Sequence, residues 1–176
     1  MRADRAWAFL PGARPAAVVA ILLRRGHQWL IPFVVRRPDM RSHPGQVGLP
    51  GGAIEIGETP WAAAAREAEE EIGVPARDLT PLGACGRVHL SVYNFAVLPF
   101  IAHLHDPSIR FQANPDELTA ILEVPLRDLL NPKRWSRDES GRLGHHFPVA
   151  GTAIWGLTAR LLEDLLPPLA RALDNS

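Results

Sequence analysis

Three glutamates in one short stretch, Glu67, Glu70 and Glu71, are spaced so that a helix would gather them. Residues three and four apart are neighbours on a helix surface. A helix is expected from about Pro60 to Ile72, with Thr59 as its N-cap, Pro60 in its first turn and Gly73 just past its end. At about 100° per residue, Trp61, Ala64, Ala65, Ala68 and Ile72 form an apolar stripe. The glutamates fall on another face and repel one another. No cation follows them, since Val74 and Pro75 stand three and four residues after Glu71, and Arg66 projects to a different side. Such a cluster costs helix stability unless a cation sits over it. Two readings follow from the residues alone. One is a solvated acidic face. The other is a site for a hard cation such as Mg²⁺, which takes oxygen ligands, keeps waters and bridges carboxylates to phosphates.

A second concentration of charge lies upstream. Residues 21 to 50 hold Arg24, Arg25, Arg36, Arg37 and Arg41 against Asp39 alone. Arginine suits bidentate recognition of phosphate. Arg36, Arg41 and His43 read as substrate-binding groups, whereas Arg24 and Arg25 sit in a turn and read as solvated strand-end charges. Gly45, Pro50 and Gly51 shape the loop that brings backbone towards the acidic helix. Elsewhere the readings are structural. Cys85 is a small packed hydrophobe, Trp155 packs a closing helix, and Leu157, Leu161, Leu162 and Leu165 form a stripe for a core or a dimer interface. His145 and His146 are neighbours that would point apart on a strand, and read as part of a polar loop rather than a metal site.

These groups need a scaffold. Ala16 to Leu23 reads as a buried strand, Arg25 to His27 as a turn, and Trp29 to Val35 as the returning strand. Pro32 argues for an edge or a bulge there, because proline cannot donate to a ladder. A Gly/Pro-rich loop from Pro38 to Gly52 precedes the acidic helix. Leu82 to Val88 and Tyr93 to Ile101 read as a further pair of strands, Leu118 to Val124 as another, and Leu126 to Leu130 as a short helix. Thr152 to Leu166 reads as an amphipathic helix stopped by Pro167 and Pro168. The mixture implies α+β, with a mixed β-sheet between helices.

Composition narrows the partners. A chain of 176 residues fits one domain, 1–176. With 19 basic and 19 acidic residues there is no global field for a nucleic acid or an anionic membrane. The residues from Met1 to Arg14 lack a signal-peptide pattern, and no apolar run is long enough for a membrane span. One cysteine excludes an intrachain disulfide and suits a cytoplasmic setting.

The segment Gly52 to Val74, GAIEIGETPWAAAAREAEEEIGV, resembles the Nudix box, G-x5-E-x7-R-E-U-x-E-E-x-G-U, where U is apolar. Gly52, Glu58, Arg66, Glu67, Glu70, Glu71 and Gly73 stand at every fixed position. The resemblance implies an α/β/α sandwich and hydrolysis of a nucleoside diphosphate linked to another moiety. It implies Mg²⁺ or Mn²⁺ held by Glu67, Glu70, Glu71 and the carbonyl of Gly51. It implies a catalytic set of Glu70, Glu71 and Glu117, with either Glu70 or Glu117 as general base. Arg66 and Glu58 would pair to brace loop against helix, with Gly52 and Gly73 as further structural support.

Upstream, VVRRPDMRSHPGQVGLPGG (Val34 to Gly52) resembles the segment that precedes the box in coenzyme A pyrophosphatases, L-L-T-x-R-S-x3-R-x-H-x-G-Q-V-x-F-P-G-G. Arg36, Arg41, His43, Gly45, Gln46, Val47, Pro50, Gly51 and Gly52 match, while Val34, Val35, Arg37 and Leu49 depart. The segments Asn114 to Leu130 and Ile154 to Leu162 resemble that subfamily too. This implies cleavage of coenzyme A or acyl-CoA into (acyl-)4′-phosphopantetheine and 3′,5′-ADP. The alternatives are an ADP-ribose or other nucleoside-diphosphate-X pyrophosphatase, and a non-catalytic nucleotide-binding module. Family members are often homodimers, so a homodimer is to be considered.

Overall fold

The computed structural model describes residues 12–85, 89–90, 92, 94–141 and 143–174. The signal-peptide reading of residues 1–11 and the strand ends read at 86–88 and at Tyr93 lie outside them. The central strand is β1 (Arg14–Arg25), which turns at Gly26 into β2 (Gln28–Arg36). Two short strands, β3 (Val47–Gly48) and β4 (Gly51–Ala53), interrupt what reads in the sequence as one loop. Helix α1 spans Pro60–Ile72. Then come β5 (Leu79–Ala84), β6 (His89–Leu90), β7 (Phe95–Leu104), β8 (Leu118–Pro125) and the short helix α2 (Leu126–Leu129). A small sheet of β9 (Ser136–Arg137), β10 (His145–Val149) and β11 (Thr152–Ile154) leads into helix α3 (Gly156–Asp174).

The main sheet is mixed, in the order β3-β2-β1-β7-β5. β1 runs parallel to β7 and antiparallel to β2 and β4. Its two faces explain its unbroken apolar run, because each is covered. Ala17, Val19, Ile21 and Leu23 pack with Ala63, Ala64, Ala68 and Ile72 of α1. Ala16, Ala20 and Leu22 share a second core with Leu161, Leu162, Leu165 and Leu169 of α3. The result is a sheet between helices, as the α+β reading anticipates. Pro32 sits where it does little harm. β8 flanks β2 on one edge, while the other edge pairs with β1 through Leu30 and with β3 from Val34. Pro32 falls between those two pairings, so no ladder bond is lost there.

The last helix differs from its reading. Thr152 to Ile154 form a strand, paired with β10 around a turn in which Ala150 and Gly151 both have positive φ, the conformation of a tight hairpin. The helix starts at Gly156 and continues through Pro167 and Pro168 to Asp174. Leu169, beyond the prolines, is 5% exposed in the same core as Leu165. Burying a leucine is worth about 1.5–3 kcal/mol, against ~3 kcal/mol for each interior proline, and Leu173, one turn further on, packs against the same core as well. Packing therefore carries the helix past the break. His145 and His146 also lie on a strand, not in a loop, and the His145 ring stacks on Trp135 with centroids 4.8 Å apart.

Candidate active site

Helix α1 is closed at both ends by its own sequence. The Thr59 hydroxyl accepts from the Ala62 N–H, and Gly73 takes φ 71° to end the helix. Ala63, Ala64 and Ala68 are fully buried, so the helix lies close against β1. This fixes which way the glutamates project.

Arg66 is the hub of the loop–helix junction. Its Nε donates to Glu58 Oε1 at 3.0 Å and its Nη2 to Glu58 Oε2 at 3.2 Å and to the Ala53 carbonyl at 3.1 Å. Its Nη1 reaches Glu67 Oε1 at 2.9 Å and Glu70 Oε2 at 3.0 Å. Arg66 therefore does not project away from the glutamates, as its place on the helix suggests, but lies among them. A long side chain can fold back along the helix, and the guanidinium forks among three carboxylates. The hydrogen bond from Arg66 holds the Glu58 carboxyl below its ordinary range. Burial pushes Glu67 up, against the pull of Arg66.

Glu71 is different. It is 1% exposed and projects into a split in the sheet, where β1 has left β4 and not yet joined β2. From β4 the Gly51 N–H donates to Glu71 Oε2 at 3.0 Å, and from β2 Arg36 Nη1 lies 3.5 Å from Oε1. Burial pushes the Glu71 carboxyl up to about 8; the Gly51 N–H and Arg36 oppose this, while Glu67 and Glu117 add to it. Arg36 Nη2 is also 4.0 Å from Glu117, and its buried Nε has no partner. Glu67, Glu71, Glu117 and Arg36 all line one cavity of about 350 Å³. Glu70 does not line it; its side chain is 57% exposed and turned to Arg66.

The paired glycines make room for this. A Cβ on Gly51 would lie 2.3 Å from the Ala17 carbonyl oxygen, at φ 148°, where side chains are rarely tolerated. A Cβ on Gly52 would lie 2.4 to 2.7 Å from the carboxylate atoms of Glu67. The two sites should therefore fail differently. Gly52→Ala displaces the end of a flexible side chain, so we expect a folded protein with turnover reduced by about 10–100-fold, the usual cost of misplacing a supporting group. Gly51→Ala meets backbone and should not yield a folded protein. Circular dichroism alongside turnover checks both, and full activity of Gly52→Ala would show that Glu67 is free to sit elsewhere.

The upstream segment supplies the facing wall. Arg36, Ser42, His43, Gln46, Val47, Gly48 and Leu49 line the cavity. His43 takes φ 55° and its Nδ1 lies 3.0 Å from Gln46 Oε1. Arg41 is exposed and is not part of the lining. Arg37 is turned away, onto Asp39 and the Pro115 carbonyl. Arg25, read as a solvated charge, is instead a staple. It pairs with Glu123 at 3.0 Å, donates to the Pro107 and Ile109 carbonyls, and covers the Phe111 ring. The partners arrive from about 80 to 100 residues away, so no local pattern announces them. The cavity also takes in Phe95, Leu157, Thr158 and Leu161, which the sequence does not mark as site residues. The leucines belong to a helical stripe that reads as core.

Comparison with known proteins decides the family. A profile of the NUDIX domain matches residues 13–143. The chain belongs to the Nudix hydrolase family. It is 34% identical over 158 residues to an uncharacterized Nudix hydrolase, NudL, of Enterobacter sp. (strain 638), covering 86% of this chain and 81% of that one. The same similarity extends to NudL of Klebsiella pneumoniae (strain 342), at 34% over 158 residues with the same coverage. Among solved structures, the Ap4A hydrolase of C. elegans in a binary complex superposes with a TM-score of 0.62 at 18% identity, covering 92% of this chain and 99% of that one. The NUDIX domain of Shewanella oneidensis NrtR complexed with ADP ribose gives 0.58 at 16% identity, covering 96% and 99%. At those identities the likeness is one of fold. As a Nudix hydrolase, the chain carries its box on β4, α1 and the loop between them, and its reaction is hydrolysis of a pyrophosphate linkage.

Proposed function

We propose that this Nudix hydrolase cleaves the pyrophosphate of coenzyme A or acyl-CoA, giving (acyl-)4′-phosphopantetheine and 3′,5′-ADP, with Mg²⁺ or Mn²⁺ as cofactor. One observation carries the reading. The segment that resembles coenzyme A pyrophosphatases folds as the wall facing the box glutamates, and presents Arg36, His43 and Gln46 to the same cavity.

The donor set fits a divalent cation. Glu67 and Glu71 are largely withdrawn from water, burial pushes both carboxyls up, and the charge of Glu67 further disfavours that of Glu71, so added positive charge would favour the ionised pair. Among the described residues no three His, Cys, Asp or Glu side chains stand together as a ready-made shell. An ion that keeps waters and takes further ligands from phosphate needs only one or two carboxylates. Glu67, Glu71 and the Gly51 carbonyl are the groups we assign to it. When bound, such an ion neutralises phosphate charge and makes a coordinated water more acidic.

The protein's own groups then have distinct tasks. Arg36 and His43 orient the diphosphate, since both line the cavity and a guanidinium suits phosphate oxygens. Glu117 takes the proton of the attacking water. We prefer it to Glu70 because it lines the cavity while Glu70 is turned out to Arg66. Arg41, outside the lining, is left to a phosphate that projects from the mouth. We place the reaction in the cytoplasm, where the single cysteine stays reduced.

Incubation with coenzyme A and Mg²⁺ or Mn²⁺, followed by chromatography, should yield 3′,5′-ADP. No such product at micromolar enzyme would reject the coenzyme A reading. The structural likeness to proteins that hydrolyse Ap4A or bind ADP ribose supports a second one, a nucleoside-diphosphate-X pyrophosphatase of other specificity. A panel compared by kcat/KM separates the two. A non-catalytic module is the weakest reading, since Glu67, Glu70 and Glu71 are all retained.

A further inference from the structure

We infer that Asn114 is a positioning residue of the reaction: it ties the turn that carries Glu117 to the last turn of α1, and so fixes the proton acceptor relative to the helix of Glu67 and Glu71. The inference rests on the preceding reading in that Glu117 accepts the proton. The last carbonyls of a helix have no partner within it. In α1 two of them are taken by the connection between β7 and β8. The Gln112 N–H donates to the Ile72 carbonyl at 3.0 Å, and the Asn114 N–H donates to the Glu71 carbonyl at 2.9 Å. Asn114 then closes a turn. Its own carbonyl accepts from the N–H groups of Glu117 at 3.1 Å and Leu118 at 2.8 Å. Its side-chain Oδ1 accepts from the Asp116 N–H at 3.1 Å. Asparagine suits this place because its side chain can bond the backbone two residues on and so mimic a backbone turn. Pro115, the next residue, fixes φ at the second position of the turn. The hydrogen bonds of Asn114 thus join the backbone of Glu71 to the backbone of Glu117.

The other side of the turn is held by β2. The β2–β8 ladder slips by one residue at Thr119, so that Arg36 pairs with Leu118. The Arg37 N–H then meets the Glu117 carbonyl at 2.9 Å. The Arg37 side chain adds a second tie, donating from Nη1 to the Pro115 carbonyl at 2.9 Å. Arg37 is one of the departures from the coenzyme A pyrophosphatase pattern, and here it serves the turn rather than the substrate. Glu117 therefore stands on a turn fastened to both elements that bear its neighbours in the cavity, Glu71 on α1 and Arg36 on β2. Asn114 does not itself line the cavity, so its effect on turnover passes through Glu117. A proton acceptor held in this way is already placed before substrate arrives, which is where positioning lowers a barrier.

Steady-state kinetics of the full chain with Mg²⁺ test this, with coenzyme A as substrate or, where coenzyme A is not cleaved, ADP-ribose or Ap4A. Asn114→Ala removes the Oδ1 acceptor. It should lower kcat by about ten- to a hundredfold and leave KM within about twofold, since a misplacement of about 1 Å costs up to about a hundredfold. Asn114→Ser can re-form the turn more weakly through its hydroxyl, and should fall between Asn114→Ala and the wild type. In a Glu117→Gln background Asn114→Ala should cost no more than about twofold further, because residues that act as a unit are not additive. An unchanged kcat in Asn114→Ala, or the same loss in the Glu117→Gln background as in the wild type, overturns the proposal. Should Asn114→Ala not fold, Asn114→Ser decides by the same comparison in both backgrounds. A fully active Glu117→Gln would reject the reading of Glu117 as proton acceptor and this proposal with it. A slow Glu117→Gln on which the Asn114 change still takes its full toll would reject the proposal alone.

Discussion

Glu71→Gln should reduce turnover by about a thousandfold or more while leaving the metal-free protein at least as stable as the wild type. Glu71 is buried to 1% exposure between the Gly51 N–H and Arg36. Glutamine keeps the shape and can still accept from Gly51, but brings no negative charge to a cation or to Arg36. In the proposed role of Glu71 as a cation ligand, losing its charge removes several kcal/mol of charge stabilisation, and ~4 kcal/mol is about a thousandfold in rate. The stability outcome has the opposite sign. Burial raises the Glu71 carboxyl to about 8 from an ordinary 4.5, so without metal its ionisation costs stability as pH rises through that interval. Glutamine removes the cost. Glu71→Ala should behave worse, because it strands the Gly51 N–H and leaves Arg36 with less compensation. Thermal unfolding without metal, set beside turnover with it, checks both signs. Wild-type activity in Glu71→Gln would contradict its place in the site.

Arg66→Ala should give the largest loss of stability among the charged groups of the site. One guanidinium serves Glu58, Glu67, Glu70 and the Ala53 carbonyl, and its side chain is 26% exposed. Breaking a fully buried pair costs about 3–5 kcal/mol. Partial exposure reduces this to about 2–3 kcal/mol, or some 5–10 °C in Tm for a chain of this size. Arg66→Lys should recover little, since an ammonium cannot fork among three carboxylates. The pair also has an acid signature. The Glu58 carboxyl is held below its ordinary range by Arg66, so its stabilisation is complete above that range and is lost as pH falls through the lowered value. Tm followed from about pH 7 down to about pH 3 should show that acid limb in the wild type and lack it in Arg66→Ala. A Tm unchanged by Arg66→Ala would mean the junction is held by other contacts.

Much of the acidic helix was legible because its determinants are local. Thr59, Pro60 and Gly73 act within a turn of the helix ends, and the alanine stripe follows from helical period alone. The place of Arg66 is not legible in the sequence, for a related reason. Projection on a wheel locates Cα–Cβ directions, but a guanidinium several bonds away goes where three carboxylates draw it. The closing helix departs from its sequence pattern at both ends. Thr152 to Ile154 are strand because β10 pairs with them, and Pro167 and Pro168 are crossed because Leu169 has a core to enter. Both are tertiary effects overriding local propensity.

The residues alone determined the chemistry available to this protein. A helix with Glu67, Glu70 and Glu71 on one side, and a loop rich in arginine and glycine before it, specify carboxylates for a cation and guanidinium groups for phosphate. Only the tertiary structure decided which of these groups meet. The split between β2 and β4 buries Glu71 between Arg36 and Gly51, selects Glu117 over Glu70 for the cavity, and leaves Arg41 outside it. The parallel pairing of β1 with β7 brings Phe95 to the cavity from more than forty residues beyond Gly51. Spacing along the chain records neither, because strand pairing and burial are relations between distant segments, and it is burial that sets how strongly a charge is felt.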